Sequence, residues 1–367
     1  MNTKTRPIHI FTKALILFVL IDVSYGLIQP SIAEYSAYNV IFPGLKRMPF
    51  ETGENPYSIT IEDVDVMFAA HEISTEKRPD EIRVALIGDS SVFGESLSND
   101  DTLAGQWNRA NNQCNGKTIK IYNLGYPHPS IIKDLVFIDE AAARKPDLVV
   151  WFITLNTMMN QHRQNPFIDE NRLRALQIME TYDLPLGTRK ELSERPTHFY
   201  DQTLLGQRTF LARWLKLQAL GLIWLAVGDD LPVSSLELML SHDVKKSPVY
   251  RDMLPGADLR PSLLLDSLPA GYDLAEGIPI LLVNEPIFIA QGFNSSIRYN
   301  DLYPRWVYDQ YRDILAGQTS LHSWQYLDLW DAVPPEYFTN SPLHVNAEGE
   351  RLLMEQIAPS LLSMVCK

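Results

Sequence analysis

The stretch RVALIGDSSVFGE, residues 83–95, runs from apolar residues directly into Gly88-Asp89-Ser90. A short, partly β-branched apolar run followed by small polar residues reads as a buried parallel strand and its exit loop. In an open α/β sheet, ligands bind beyond the carboxyl ends of the strands, so a serine at this point faces a crevice. A serine hydroxyl becomes a nucleophile when a base takes its proton, and an attacked acyl carbonyl needs donors for its oxyanion. His344, in NSPLHVNAEG ahead of the last helical stretch, is the candidate base. The Ser90 N–H, the Gly125 N–H and the Asn156 side-chain amide, each just past an apolar run, are candidate oxyanion donors. Singly, each has a plainer reading. Asp89 and Ser90 are ordinary N-cap types, Gly125 and Asn156 suit turns, and a lone histidine is usually structural.

Such residues converge only if the elements between them bring the strand ends together. Apolar runs recur at 84–87, 119–124, 148–153, 279–283 and 326–329, and helical patterns separate them. Ile131, Ile132, Leu135, Val136 and Ile138 fall mostly on one helix side, and Leu352, Leu353, Ile357 and Leu361 repeat at helical spacing. Strands alternating with helices imply βαβ crossovers and a largely parallel sheet covered on both faces. The interval from about 160 to 275 breaks this rhythm and is too long for a simple connection, so it reads as an inserted helical cap. Within it, FLARWLKLQALGLIWLAVG (210–228) is apolar but holds Arg213 and Lys216. That pattern fits a helix over the site mouth or on a bilayer surface, or a core helix of the cap, better than a second membrane span.

The chain has 367 residues, 46% hydrophobic and 21% charged, which is enough for a large core and argues against extended disorder. A net charge of -13, with no basic run beyond the N-terminus, excludes a nucleic-acid backbone as a natural partner. Lys4, Arg6 and Lys13 precede an apolar stretch that extends to Ile28. This is an export signal, either an uncleaved anchor (1–29) or a signal peptide cut near Ser31-Ile32-Ala33, and it places the rest of the chain outside the cytoplasm. The anchor is the preferred reading. Residues 30–80 read as an ordered lead-in packed on a domain spanning 81–367. Cys114 and Cys366 are the only cysteines and form no metal-ligand pattern; export would let them pair, and a cytosolic chain would leave them free.

Taken together, the blocks resemble the SGNH (GDSL) hydrolase superfamily. GDSSVFG (88–94) is similar to its first block, with Ser90 as nucleophile, and YNLGYP (122–127) to its second, with Gly125 at the oxyanion hole. PDLVVWFITLNT (146–157) resembles the third, with Asn156 as donor, and SPLHVNAEGERLL (341–353) the last, with His344 as base. The resemblance implies a flavodoxin-like three-layer α/β/α sandwich with a five-stranded parallel sheet in the order 2-1-3-4-5. It also implies a Ser90 acyl-enzyme acting on an ester of an envelope lipid or glycan, with no cofactor or metal. Acyl transfer to a hydroxyl acceptor, or an inactive binding module, would share the motifs. The chain departs from the pattern at Thr154 and Thr157, where the family has glycine and aspartate. It departs again at Ser341, in place of the aspartate that orients the histidine. Asn340 or a backbone carbonyl is expected to hold His344, ahead of Asp331 and then Asp328.

Overall fold

The computed structural model describes residues 7–42, 44–50, 61–159, 165–184, 192–193, 198–227 and 240–366. The central sheet has the order β2-β3-β1-β4-β5-β6. Its strands are β1 (Glu81–Gly88), β2 (Gln113–Cys114), β3 (Lys117–Gly125), β4 (Leu148–Ile153), β5 (Ile280–Asn284) and β6 (Gln325–Asp328). Five pair in parallel, and β3-β1-β4-β5-β6 is the expected 2-1-3-4-5 order. The two-residue β2 adds an antiparallel edge that no sequence signal marks.

Every residue of β1, β4 and β5 is buried, as expected of strands covered on both faces. Alternate side chains therefore feed two cores. Ala85, Ile87, Val149, Trp151 and Leu282 pack with the helices Ile131–Ala142, Ser267–Leu274 and Arg305–His322. Leu86, Val150, Phe152 and Val283 face the helices Leu103–Ala110 and Ala347–Val365 on the other side. Each large side chain so buried contributes roughly 1.5–3 kcal/mol relative to exposure. The result is the three-layer α/β/α sandwich.

The interval read as a cap divides between two places. Ser267–Leu274 is the crossover helix from β4 to β5, since Leu268 and Ala270 join the core of the sheet. The helices Pro166–Glu170 and Arg172–Thr181 also join that layer, with the Phe167 ring 5.4 Å from Phe137. The helix Arg208–Val227 packs instead on the lead-in, where Leu217 shares a separate cluster with Tyr38, Leu45, Ile61, Val66 and Ala70. Farther along, the lead-in sends buried Arg47 against the turn after the first strand, donating to the carbonyls of Phe93, Gly94 and Leu97. Cys114 and Cys366 are bridged, with Cα atoms 5.7 Å apart, tying the end of the last helix to the β2 edge.

Candidate active site

Ser90 opens the short helix Ser90–Phe93 directly beyond the carboxyl end of β1, and Asp89 caps that helix through its carboxylate to the Ser91 N–H. Beneath the turn, fully buried Lys133 donates to the Gly88 carbonyl at 2.6 Å and the Tyr126 carbonyl at 3.0 Å, and pairs with Asp134 at 2.9 Å. One ammonium thus holds the exits of β1 and β3 together. A charge taken from water this completely is tolerated only when it is fully paired.

His344 lies in a turn closed by the Thr339 N–H donating to the His344 carbonyl at 2.9 Å. Its Nε2 is 2.7 Å from Ser90 Oγ, and its Nδ1 is 2.9 Å from Asn340 Oδ1. Asn340 Oδ1 also accepts from Thr339 Oγ1. The pattern assigns Nδ1 as the protonated nitrogen, leaving the Nε2 lone pair to accept the Ser90 hydroxyl. Burial lowers the His344 pKa, opposed by the carboxylates of Glu95 and Asp89. Glu95 stands 3.7 Å from Nε2.

The two aspartates considered from the sequence do not reach the ring. Asp328 is held by Arg312 at 2.7 and 2.8 Å and by the Asn284 amide at 2.8 Å. Asp331 is exposed past the strand end, and Nδ1 already has its partner in Asn340. Ser341, in the position of the family aspartate, accepts instead from the Leu343 N–H at 3.3 Å and helps form the turn.

The structure places two of the three expected oxyanion donors just beyond the carboxyl ends of neighbouring strands. The Ser90 N–H starts its helix, where the first N–H groups have no intrahelical acceptor. Asn156 lies in the helix Leu155–Met158 beyond β4, next to β1 in the sheet, and its Oδ1 accepts from Arg251 at 3.0 Å. With the carbonyl end engaged, the amide NH2 is the end left to donate. Thr154 and Thr157 form the cap of this helix, with Thr154 Oγ1 accepting from the Thr157 N–H and the two hydroxyls 2.9 Å apart.

Gly125 differs from expectation. Its N–H donates to Asn123 Oδ1 at 3.0 Å, so it is engaged inside the protein. The glycine serves close packing: a Cβ there would come within 2.2 Å of the Phe93 nitrogen. Sequence reading also passed over Glu95 and Arg251. Glu95 ends the first quoted stretch, so a signal was present; Arg251 lies far along the chain in the inserted interval, with none.

Behind Ser90, the Ser91 hydroxyl donates to Glu285 at 2.7 Å. Burial, with the Asp89 carboxylate nearby, pushes the Glu285 pKa well above the carboxylate range. Among the described residues, no cluster of His, Cys, Asp and Glu is arranged to hold a metal ion.

No protein-family model matches the chain, and no curated protein does. Solved structures share some of its shape. One is a lipolytic protein of the G-D-S-L family from Veillonella parvula, at 12% identity over 76% of this chain and 96% of that one, with a TM-score of 0.34. A carbohydrate acetylesterase family member from Sinorhizobium meliloti gives 13%, 77%, 99% and 0.33. The aryl esterase of M. smegmatis gives 11%, 77%, 99% and 0.35. Likenesses this distant carry no weight for activity. What the chain can do rests on the site itself.

Proposed function

We propose that the protein is a serine ester hydrolase acting through a Ser90 acyl-enzyme. The observation that supports it most is the Ser90 Oγ to His344 Nε2 distance of 2.7 Å, with Nδ1 anchored on Asn340. His344 Nε2 takes the hydroxyl proton as Ser90 Oγ bonds to the ester carbonyl carbon. The Ser90 N–H and the Asn156 amide receive the oxyanion. Collapse breaks the ester C–O bond, and the imidazolium returns the proton to the leaving alcohol. Water then attacks the acyl-enzyme with His344 again as base, releasing the acid and freeing Ser90. A sugar or lipid hydroxyl in the place of that water would turn the same intermediate to acyl transfer.

The proposed setting is the outer face of a membrane, with an ester of an envelope lipid or glycan as substrate. The 22-residue helix Pro7–Ile28 would serve as the anchor, and the Cys114–Cys366 bridge fits an oxidising compartment. A fluorophosphonate probe should label the purified protein at Ser90 and block release of acetate from an acetyl ester. Labelling and turnover that persisted in Ser90→Ala would overturn the assignment.

A further inference from the structure

The helix Arg208–Val227 is apolar on two opposite sides, and its lead-in contacts cover only one. Leu217 is fully buried, Phe210, Trp214 and Leu220 pack on the same cluster, and the Tyr38 hydroxyl donates to the Leu217 carbonyl at 2.7 Å. On the outer side Ala212, Leu215, Ala219, Leu222, Ile223 and Ala226 are all exposed, Leu215 by 60% and Ile223 by 58%. Their spacing of three and four residues makes one continuous stripe along the helix. Next to it in the same substructure, Tyr35, Val40 and Ile41 of the lead-in are each at least 70% exposed. Water is a poor solvent for a surface of this kind.

The position of the helix supplies the occupant. Its approach is fastened to the end of Pro7–Ile28, the helix long and apolar enough to cross a bilayer. Asp22 accepts from the Leu205 N–H at 2.8 Å, and the Tyr25 hydroxyl donates to Gln207 at 2.9 Å. Gly26 lies so near Phe199 that a Cβ would come within 3.1 Å of its ring. Wherever the end of the first helix meets the bilayer boundary, the second starts. Arg213 and Lys216 flank the stripe on one edge, where long stems let the charges reach water while the helix lies flat. A helix crossing the hydrocarbon would bury those same charges.

We propose that the outer stripe of Arg208–Val227, together with Tyr35, Val40 and Ile41, is a lipid-binding surface. It seats this helix in the headgroup boundary of the bilayer that Pro7–Ile28 crosses. The inference rests on the anchor and is independent of the chemistry at Ser90.

The full chain would be reconstituted in vesicles of phosphatidylcholine and phosphatidylglycerol, with the photoreactive residue benzoylphenylalanine in place of Leu215, Leu222 or Leu321. Leu321, 75% exposed on Arg305–His322, is the control on the helix layer of the sheet. The protein should float with the vesicles, and positions 215 and 222 should give lipid adducts about tenfold above position 321. Lipid adducts no higher than the control in floating protein, or chain-to-chain adducts in their place, would overturn the surface. Failure to float would overturn the anchor and the surface with it. Ser90 labelling read on the same samples reports separately on the esterase reading.

Discussion

An amide stands where a triad would have a carboxylate, and the chemistry of His344 follows from that. Asn340 fixes the tautomer through Nδ1 but, in the proposed mechanism, would bring no charge to the imidazolium formed on deprotonating Ser90. The carboxylate nearest the ring is Glu95, on the Nε2 side at 3.7 Å. In the proposed mechanism His344 acts as a base only when neutral, so activity is expected to be lost on the acid side as pH falls through its pKa, already lowered by burial. Removing the Glu95 charge should lower that pKa further. In Glu95→Gln the acid limb of kcat/KM is therefore expected to move down by about one pH unit, with a lower plateau because the imidazolium loses its nearest anion. Asn340→Asp should move the limb the other way. Profiles that coincide with the parent enzyme in both variants would show that neither position acts on the ring by charge.

At the scale of elements, the last helix both presents His344 and carries a buried acid. Asn346 caps it, with Oδ1 accepting from the N–H groups of Glu348 and Gly349 at 3.1 and 3.0 Å, two residues beyond the histidine. One turn in, Glu350 is buried and its pKa is pushed up to about 8, burial outweighing a hydrogen bond from the Leu103 backbone. The folded protein keeps this proton to about pH 8, whereas the unfolded chain gives it up near its ordinary value of about 4.3. Stability from this group is therefore complete below the unfolded pKa and declines as pH rises toward 8. Urea midpoints measured from pH 5 to 8 should fall in the parent protein and fall less steeply in Glu350→Gln. Glu285, raised in the same direction, preserves part of the slope. An identical slope in the variant would mean that Glu350 ionises freely in the fold.

For the whole molecule, the bridge from Cys114 to Cys366 closes a loop of 252 residues and clips the final helix to the sheet edge. Constraining so long an unfolded chain is worth about 2–5 kcal/mol. Cys114→Ser should therefore lower the denaturant midpoint clearly under non-reducing conditions, and equal stability would show that the thiols do not pair. The apolar runs by themselves determined a largely parallel sheet covered on both faces, because strands buried on both faces leave uninterrupted apolar stretches, whereas the order of the strands came only with the resemblance of the four blocks. The sequence also singled out Ser90 at a strand exit and His344 ahead of the last helix as candidates, and left Asn340 or a backbone carbonyl of the same short turn as the expected holder of the ring. Tertiary structure alone decided the rest. Glu95 nears His344 on a turn whose carbonyls are gripped by Arg47 of the lead-in. Arg251 arrives from the inserted interval and donates to Asn156 Oδ1. The inserted interval itself splits between the sheet and the lead-in. Periodicity reports which face of an element is apolar, whereas the surface that covers that face is chosen by contacts between residues far apart in the chain.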